Sequence, residues 1–142
     1  MTKKGDIISP TILSNGQCGN GWVCEHRWLE VANMIGFQNV VKNESLTSWW
    51  DNNSNQIGFC RGHKGMIFLN GDSYDLISKF STCLSPGTYC DVISGTKVGN
   101  RCTGKSVTIQ EDGTATIQVR SKTGILALHV GVSFVCLQIC VF

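Results

Sequence analysis

Charge is scarce in this chain of 142 residues: 12 Lys and Arg against 10 Asp and Glu make 15% of it, with a net of +2. Soluble domains usually carry roughly a quarter, and so thin and balanced a distribution argues against a nucleic-acid surface or a funnel for acidic substrates. Proline is nearly absent, with two residues, and there is no internal repeat and no low-complexity segment, which excludes a proline-rich spacer or a solenoid. The carboxylates are spread along the chain, none clustered with His or Cys as an acid–base unit requires. Behind Lys3 and Lys4 there is no apolar run of signal-peptide length.

What is plentiful points elsewhere. Sixteen glycines, with Val, Ile and Thr in short runs, favour strands and turns. Eight cysteines favour an oxidising compartment. The missing leader then reads as a truncated start.

Pro10 and the stretch Ser14-Asn15-Gly16-Gln17-Cys18-Gly19-Asn20-Gly21 have loop composition. From Glu25 the pattern changes: Trp28, Val31, Ala32 and Ile35 recur at helical spacing, and Met34, Phe37, Val40 and Val41 widen the stripe. This predicts a helix over 25–42 with a broad buried face. After Asn43 the period becomes two, with turn signals every eight to twelve residues, as in a sandwich or barrel. Strands are expected near 56–60, 65–70, 87–93, 105–110, 114–120 and 124–131. Glu111-Asp112-Gly113 between Val107/Ile109 and Ala115/Ile117/Val119 predicts a hairpin.

Residues 124–142 carry no Asp, Glu, Lys or Arg, and nineteen such residues are just long enough to span a bilayer as a helix. β-branched Val130, Val132, Val135, Ile139 and Val141 favour instead a final strand over 124–131 and a short buried segment.

Cys18 and Cys24, and Cys90 and Cys102, are spaced to close small loops, each bridge contributing on the order of 2–4 kcal/mol. The alternative for Cys18 and Cys24, with His26 and His63, is zinc, although the spacing fits no familiar finger or ribbon. Cys60, Cys83, Cys136 and Cys140 have no assignable partner, and a lone buried cysteine usually acts as a small hydrophobe. Glu25-His26-Arg27 reads as a buried or half-buried structural network rather than a catalytic one. Trp49 and Trp50, followed by Asp51-Asn52-Asn53-Ser54-Asn55, are the weak candidates for a sugar-stacking platform, their alternative being core packing. Asn43-Glu44-Ser45 and Asn52-Asn53-Ser54 are glycosylation acceptor motifs in a secreted chain.

Three segments taken together, Cys18-Gly19-Asn20-Gly21-Trp22-Val23-Cys24-Glu25-His26-Arg27-Trp28, Trp49-Trp50-Asp51-Asn52-Asn53-Ser54-Asn55-Gln56-Ile57 and Gly87-Thr88-Tyr89-Cys90-Asp91-Val92-Ile93-Ser94-Gly95, resemble the C-terminal third of animal α-amylases. Ile125-Leu126-Ala127-Leu128-His129-Val130 resembles that family's closing strand. The resemblance implies a mainly β chain. Residues 1–43 would be the last loop and helix of an incomplete (β/α)8 barrel, 44–131 an antiparallel Greek-key sandwich, and 132–142 an atypical apolar tail. It also implies that Cys18–Cys24 and Cys90–Cys102 are disulfides and that the chain is extracellular.

Family members hydrolyse internal α-1,4 bonds of starch and glycogen with two working carboxylates and a supporting Asp on earlier barrel strands. No position here matches those motifs. No cofactor is expected in this chain, the family's calcium and chloride sites lying upstream. The expected partner is its own catalytic barrel, with an α-glucan as candidate ligand, no nucleic acid and no membrane. The functional readings are a non-catalytic portion of an amylase, a free-standing carbohydrate-binding or structural β domain, and a tail-anchored protein. The Lys79-Phe80-Ser81-Thr82 run with Cys83, and the apolar ending after 131, depart from the family pattern and put the C-terminal edge strand in question.

Overall fold

A computed structural model describes residues 5–134. After a loop closed by a bridge between Ile12 and Cys18, Glu25–Arg27 forms one 3-10 turn and α1 runs Leu29–Val40. The helix predicted from Glu25 is therefore interrupted: Trp28 is extended (ψ 139°) and breaks it. The strands follow as β1 Leu46–Asp51, β2 Gln56–Arg61, β3 Gly65–Asn70, β4 Leu76–Ser81, β5 Gly87–Cys90, β6 Lys97–Val98, β7 Arg101–Cys102, β8 Ser106–Ile109, β9 Thr114–Val119, β10 Ile125–His129 and β11 Ser133–Phe134.

All pairings are antiparallel, and one sheet has the order β1-β2-β3-β10. Opposite it lie the ladders β4-β9 and β11-β5-β8. The Asp112-Gly113 turn exists, with Gly113 at φ 78°, but the hairpin expected around it does not continue. Gln110 and Thr114 share one neck hydrogen bond of 2.8 Å, after which β8 pairs with β5 and β9 with β4. The order β4, β9, β8, β5 that results, with β9 and β8 adjacent but not laddered, is a Greek key, closed by the five-residue connection from β4 to β5.

The core sits between the layers. Period-two alternation turns Cys60, Met66, Phe68, Leu126 and Leu128 inward to meet Leu76, Tyr89, Val107, Ile109, Ala115, Ile117 and Val119. Asn70 stitches the layers together, accepting from Gln56 Nε2 (3.2 Å) and donating to the carbonyls of Val119 and Tyr74 (both 2.9 Å). Among the described residues no buried side-chain polar atom lacks a partner.

The outer face of the larger sheet is apolar too, and α1 covers part of it. Phe37 and Val41 press onto Ala127, Val92 and the backbone of Gly65, where an added Cβ would lie 2.6 Å from Val41 Cγ1. The predicted buried stripe is thus displaced: Phe37 faces the sheet, while Ile35 is 57% and Trp28 40% exposed.

Among the described residues three disulfides are formed: Cys18–Cys24, Cys60–Cys83 and Cys90–Cys102. Cys60 and Cys83, for which the sequence offered no assignable partner, fasten β2 to the segment after β4, across the two layers. The chain after β10 makes a 3-10 turn and then β11, which pairs with β5 and supplies the edge strand. Residues 124–134 therefore do not form the start of a spanning helix; the remainder of the apolar ending, with Cys136 and Cys140, lies outside the described residues. No helix among the described residues is long and apolar enough to cross a membrane.

Candidate functional site

Adjacent residues on a strand point to opposite faces, and β1 uses this to separate its two tryptophans. Trp50 turns inward, edge-on to Phe80 at 4.9 Å and tilted on Phe68 at 6.5 Å, half-buried against the core. Trp49 stands outside, 54% exposed. One face of its indole is stacked on Phe59 (6.0 Å, 11° between planes), and its ring N–H donates to Asp51 Oδ2 at 3.0 Å. A bulge sets this up: Thr47 opposes Cys60 and Trp50 opposes Gly58, leaving one extra residue on β1, with Ser48 at φ 53°. The result is a fixed aromatic plate with one open side.

Beside it, two loops are clamped through a single carboxylate. Asp72 accepts from Asn52 Nδ2 (2.9 Å), Ser54 Oγ (3.0 Å) and Asn55 Nδ2 (3.1 Å). These donors, Asn52 first, bring its pKa down to about 2. Asn52 Nδ2 also donates to Tyr74 Oη at 3.2 Å, and the hydrogen bond with Asp72 raises the Tyr74 pKa. A carboxylate so saturated with donors cannot act as a general acid at neutral pH. Its role is to hold the loop after Trp49.

Asp91, the buried carboxylate among the described residues, is also spent on structure. It accepts from the backbone N–H groups of Ile93 and Ser94 (both 3.2 Å) and Ala127 (3.1 Å). Glu25-His26-Arg27 is exposed rather than a buried network, and Arg27 donates to the Gly16 carbonyl at 3.3 Å. The zinc alternative loses its thiolates, because Cys18 and Cys24 bond to each other, while His63 sits at the Cys83 carbonyl, 3.0 Å away. The described residues bring together no group of three metal-binding side chains.

The second feature is an apolar groove of about 510 Å³ between α1 and the sheet, lined by Val31, Met34, Ile35, Ile93 and Ile125, with Gln38 on the rim. Ile35 in this groove, Leu29 at the start of α1 and Trp28 just before it are exposed apolar side chains.

The family model for "Alpha amylase, C-terminal all-beta domain" matches residues 48–131. The chain belongs to that family. The "Alpha-amylase-related protein" of Drosophila simulans and that of Drosophila melanogaster are each 52% identical over 126 residues, 87% of this chain and 26% of each relative. The solved structure of a variant of α-amylase I from Eisenia fetida in complex with maltohexaose superposes with a TM-score of 0.72 at 39% identity, over 80% of this chain and 25% of that one. The chain thus spans about a quarter of the length of the relatives it matches.

The amylase-domain match begins at the β1 bulge and closes just after β10, so it takes in both layers and the Cys60–Cys83 and Cys90–Cys102 disulfides. The loop, Cys18–Cys24 and α1 precede it. Sequence reasoning found Trp49 but not Asp72 and Tyr74, since Asp72 lies eighteen residues past Ser54 in an ordinary polar turn and only the sheet register brings the two loops together.

Proposed function

We propose that this chain is the C-terminal end of an α-amylase-type glycosidase. Residues 1–43 would complete a (β/α)8 barrel, 44–131 would brace it, and 132–142 would form a divergent ending. The barrel would hydrolyse internal α-1,4 bonds of starch and glycogen outside the cell, and this chain alone would hydrolyse nothing. The observation that carries the reading is the open apolar groove between α1 and β10, where Ile35 is exposed and Met34 and Ile125 are half-buried, with Trp28 and Leu29 also exposed. Leaving several large apolar side chains in water forgoes about 1.5–3 kcal/mol each, and a barrel is the cover that the family supplies. The carboxylates support it as well: Asp91 and Asp72 are committed to backbone and loop donors.

The test is a graft. Residues 5–134 placed in the Eisenia fetida enzyme instead of its corresponding region should preserve starch hydrolysis, while the free chain releases no reducing ends. Turnover by the free chain, or a dead graft that is folded, would refute the reading.

The Trp49 plate supports a second role compatible with the first, contact with the glucan substrate. The open indole face suits a pyranose ring, and Asp51 holds the ring N–H. In affinity electrophoresis through glycogen the chain should be retarded and W49A should not be. Equal mobility of the two would remove the glucan reading.

A further inference from the structure

We propose that His129 is a pH-operated fastener for the strand that follows it: taking up a proton on its ring releases the Val130–Val132 turn and β11 while the core stays folded. The device lies within this chain and is independent of the amylase reading. It starts from one hydrogen bond that only a neutral ring can make.

His129 ends β10, opposite Gly65 of β3, and is 6% exposed. Its ring stands edge-on to Phe37 of α1, with centroids 5.7 Å apart. The backbone N–H of Gly131 donates to Nδ1 at 3.1 Å. A ring nitrogen accepts only when it carries no hydrogen, so the native tautomer keeps its proton on Nε2. A second proton sets N–H against N–H at Nδ1, and the bond becomes a repulsion. Gly131 lies close against this edge of the ring: a Cβ there would be 3.0 Å from both Nδ1 and Cε1 and 3.3 Å from Val40 Cγ2. The charged ring is therefore accommodated by moving the turn away, which also opens that edge to water.

Little holds the turn besides this contact. The Val130 N–H donates to the Lys64 carbonyl at 3.0 Å, Val132 packs half-buried against the cluster of Phe37, Val41, Val92 and Ala127, and β11 pairs with β5 at Tyr89 and Thr88. Val132 lies outside the main core between the layers, so the segment can open as a local unit without global unfolding. Once free, it leaves β5 with an open edge at Thr88 and Tyr89, a template for pairing with another chain.

The charged groups on the elements packed around the ring are engaged elsewhere or lie at element ends. Before β3, Lys64 pairs with Glu44 at 2.9 Å and His63 sits at the Cys83 carbonyl. After β5, Asp91 accepts from three backbone N–H groups. In α1, Glu30 is in the first turn and Lys42 lies beyond the last, and the Val130–Val132 turn carries no charge. Burial holds the His129 pKa below the ordinary 6.5, so the closed segment resists the proton and the open one accepts it. Opening is thus favoured as the pH falls below 6.5, by about tenfold per pH unit while the closed ring stays neutral.

Hydrogen exchange of the full chain, read by mass spectrometry at pH 7.5 and 5.0 and corrected for the chemical rate, tests this. Peptides covering 130–134 should lose protection by about tenfold or more between the two, while those from β9 keep theirs. H129N, whose amide oxygen can accept from Gly131 but does not titrate, should stay protected at both values; H129F, with no acceptor, should be open at both. Unchanged protection in 130–134, a loss spread equally over β9, or a pH dependence that survives in H129N overturns the proposal. Should H129N not fold, the wild-type contrast between 130–134 and β9 decides alone.

Discussion

Removing the Cys60–Cys83 bridge is the sharpest test of how this domain is held together. The two cysteines are separated by 23 positions, and in the chain-entropy description a loop of that length restricts the unfolded state by about 3.5 kcal/mol. Cys60 is 4% exposed and belongs to the main core, so C60A/C83A also loses buried sulfur contacts, on the order of 1 kcal/mol. The sum, about 4–5 kcal/mol, is a large share of the roughly 5–15 kcal/mol that stabilises a domain. Equilibrium urea unfolding followed by tryptophan fluorescence reads it, since Trp50 is packed on Phe80 and Phe68. With a slope near 2 kcal/mol per molar, the midpoint should fall by about 2 M. C18A/C24A opens a loop of separation 6, for which the same description gives about 2.4 kcal/mol, and Cys24 belongs to neither buried cluster, so the midpoint should move about half as far. A loss below about 1 kcal/mol for C60A/C83A, or equal losses for the two pairs, would refute the reasoning.

Gly58 faces the Phe68 ring, where an added Cβ would lie 2.4 Å from Cε1; G58A should destabilise by about 1–3 kcal/mol in the same assay, and an unchanged midpoint would show that the ring moves freely. D91A strips three backbone N–H groups of their acceptor and should cost about 2–4 kcal/mol, with D91N, which keeps one carbonyl oxygen, losing less. Burial holds the His129 pKa below its ordinary 6.5, so the unfolded chain binds the proton more readily. Stability should be level above pH 6.5 and fall as the pH drops through and below it, and H129N should flatten that dependence. Asp72 acts in a separate window: its stabilisation is present above pH 3.8 and is lost as the pH falls towards about 2, so D72N should change the acid limb and leave the region near pH 6 alone.

The strands legible in the sequence are those with one wet and one dry face. Val107/Ile109 and Ala115/Ile117/Val119 alternate cleanly because β8 and β9 each cover one side of a core. β4 escaped detection because Leu76 and Phe80 turn inward while Ile77 and Lys79 lie in solvent, and Ser78 between them dilutes the pattern. β1 was hidden for another reason, since its bulge resets the alternation at Ser48. In α1 the difficulty is an excess of signal: Val31, Met34, Ile35, Phe37 and Val40 surround the axis, so periodicity could not choose which side meets the sheet. The Asp112-Gly113 turn was readable, but its strands' partners were not, because local turn chemistry fixes a reversal and long-range packing decides the ladder. Trp49 was visible as a residue type; what makes it a plate, the Phe59 ring beneath it, comes from a neighbouring strand.

The order of the disulfides along the chain has a consequence for biosynthesis. Among the described cysteines each one pairs with the next, 18 with 24, 60 with 83 and 90 with 102, so no bridge encloses or interleaves with another. Of the many connectivities that six cysteines allow, this is the one in which every bond can close as soon as its own stretch has emerged, without waiting for distal sequence and without a threading step. A chain synthesised from its N-terminus can therefore lock in its cross-links in the order in which they are made, and any mispairing requires an earlier cysteine to outlast its own neighbour.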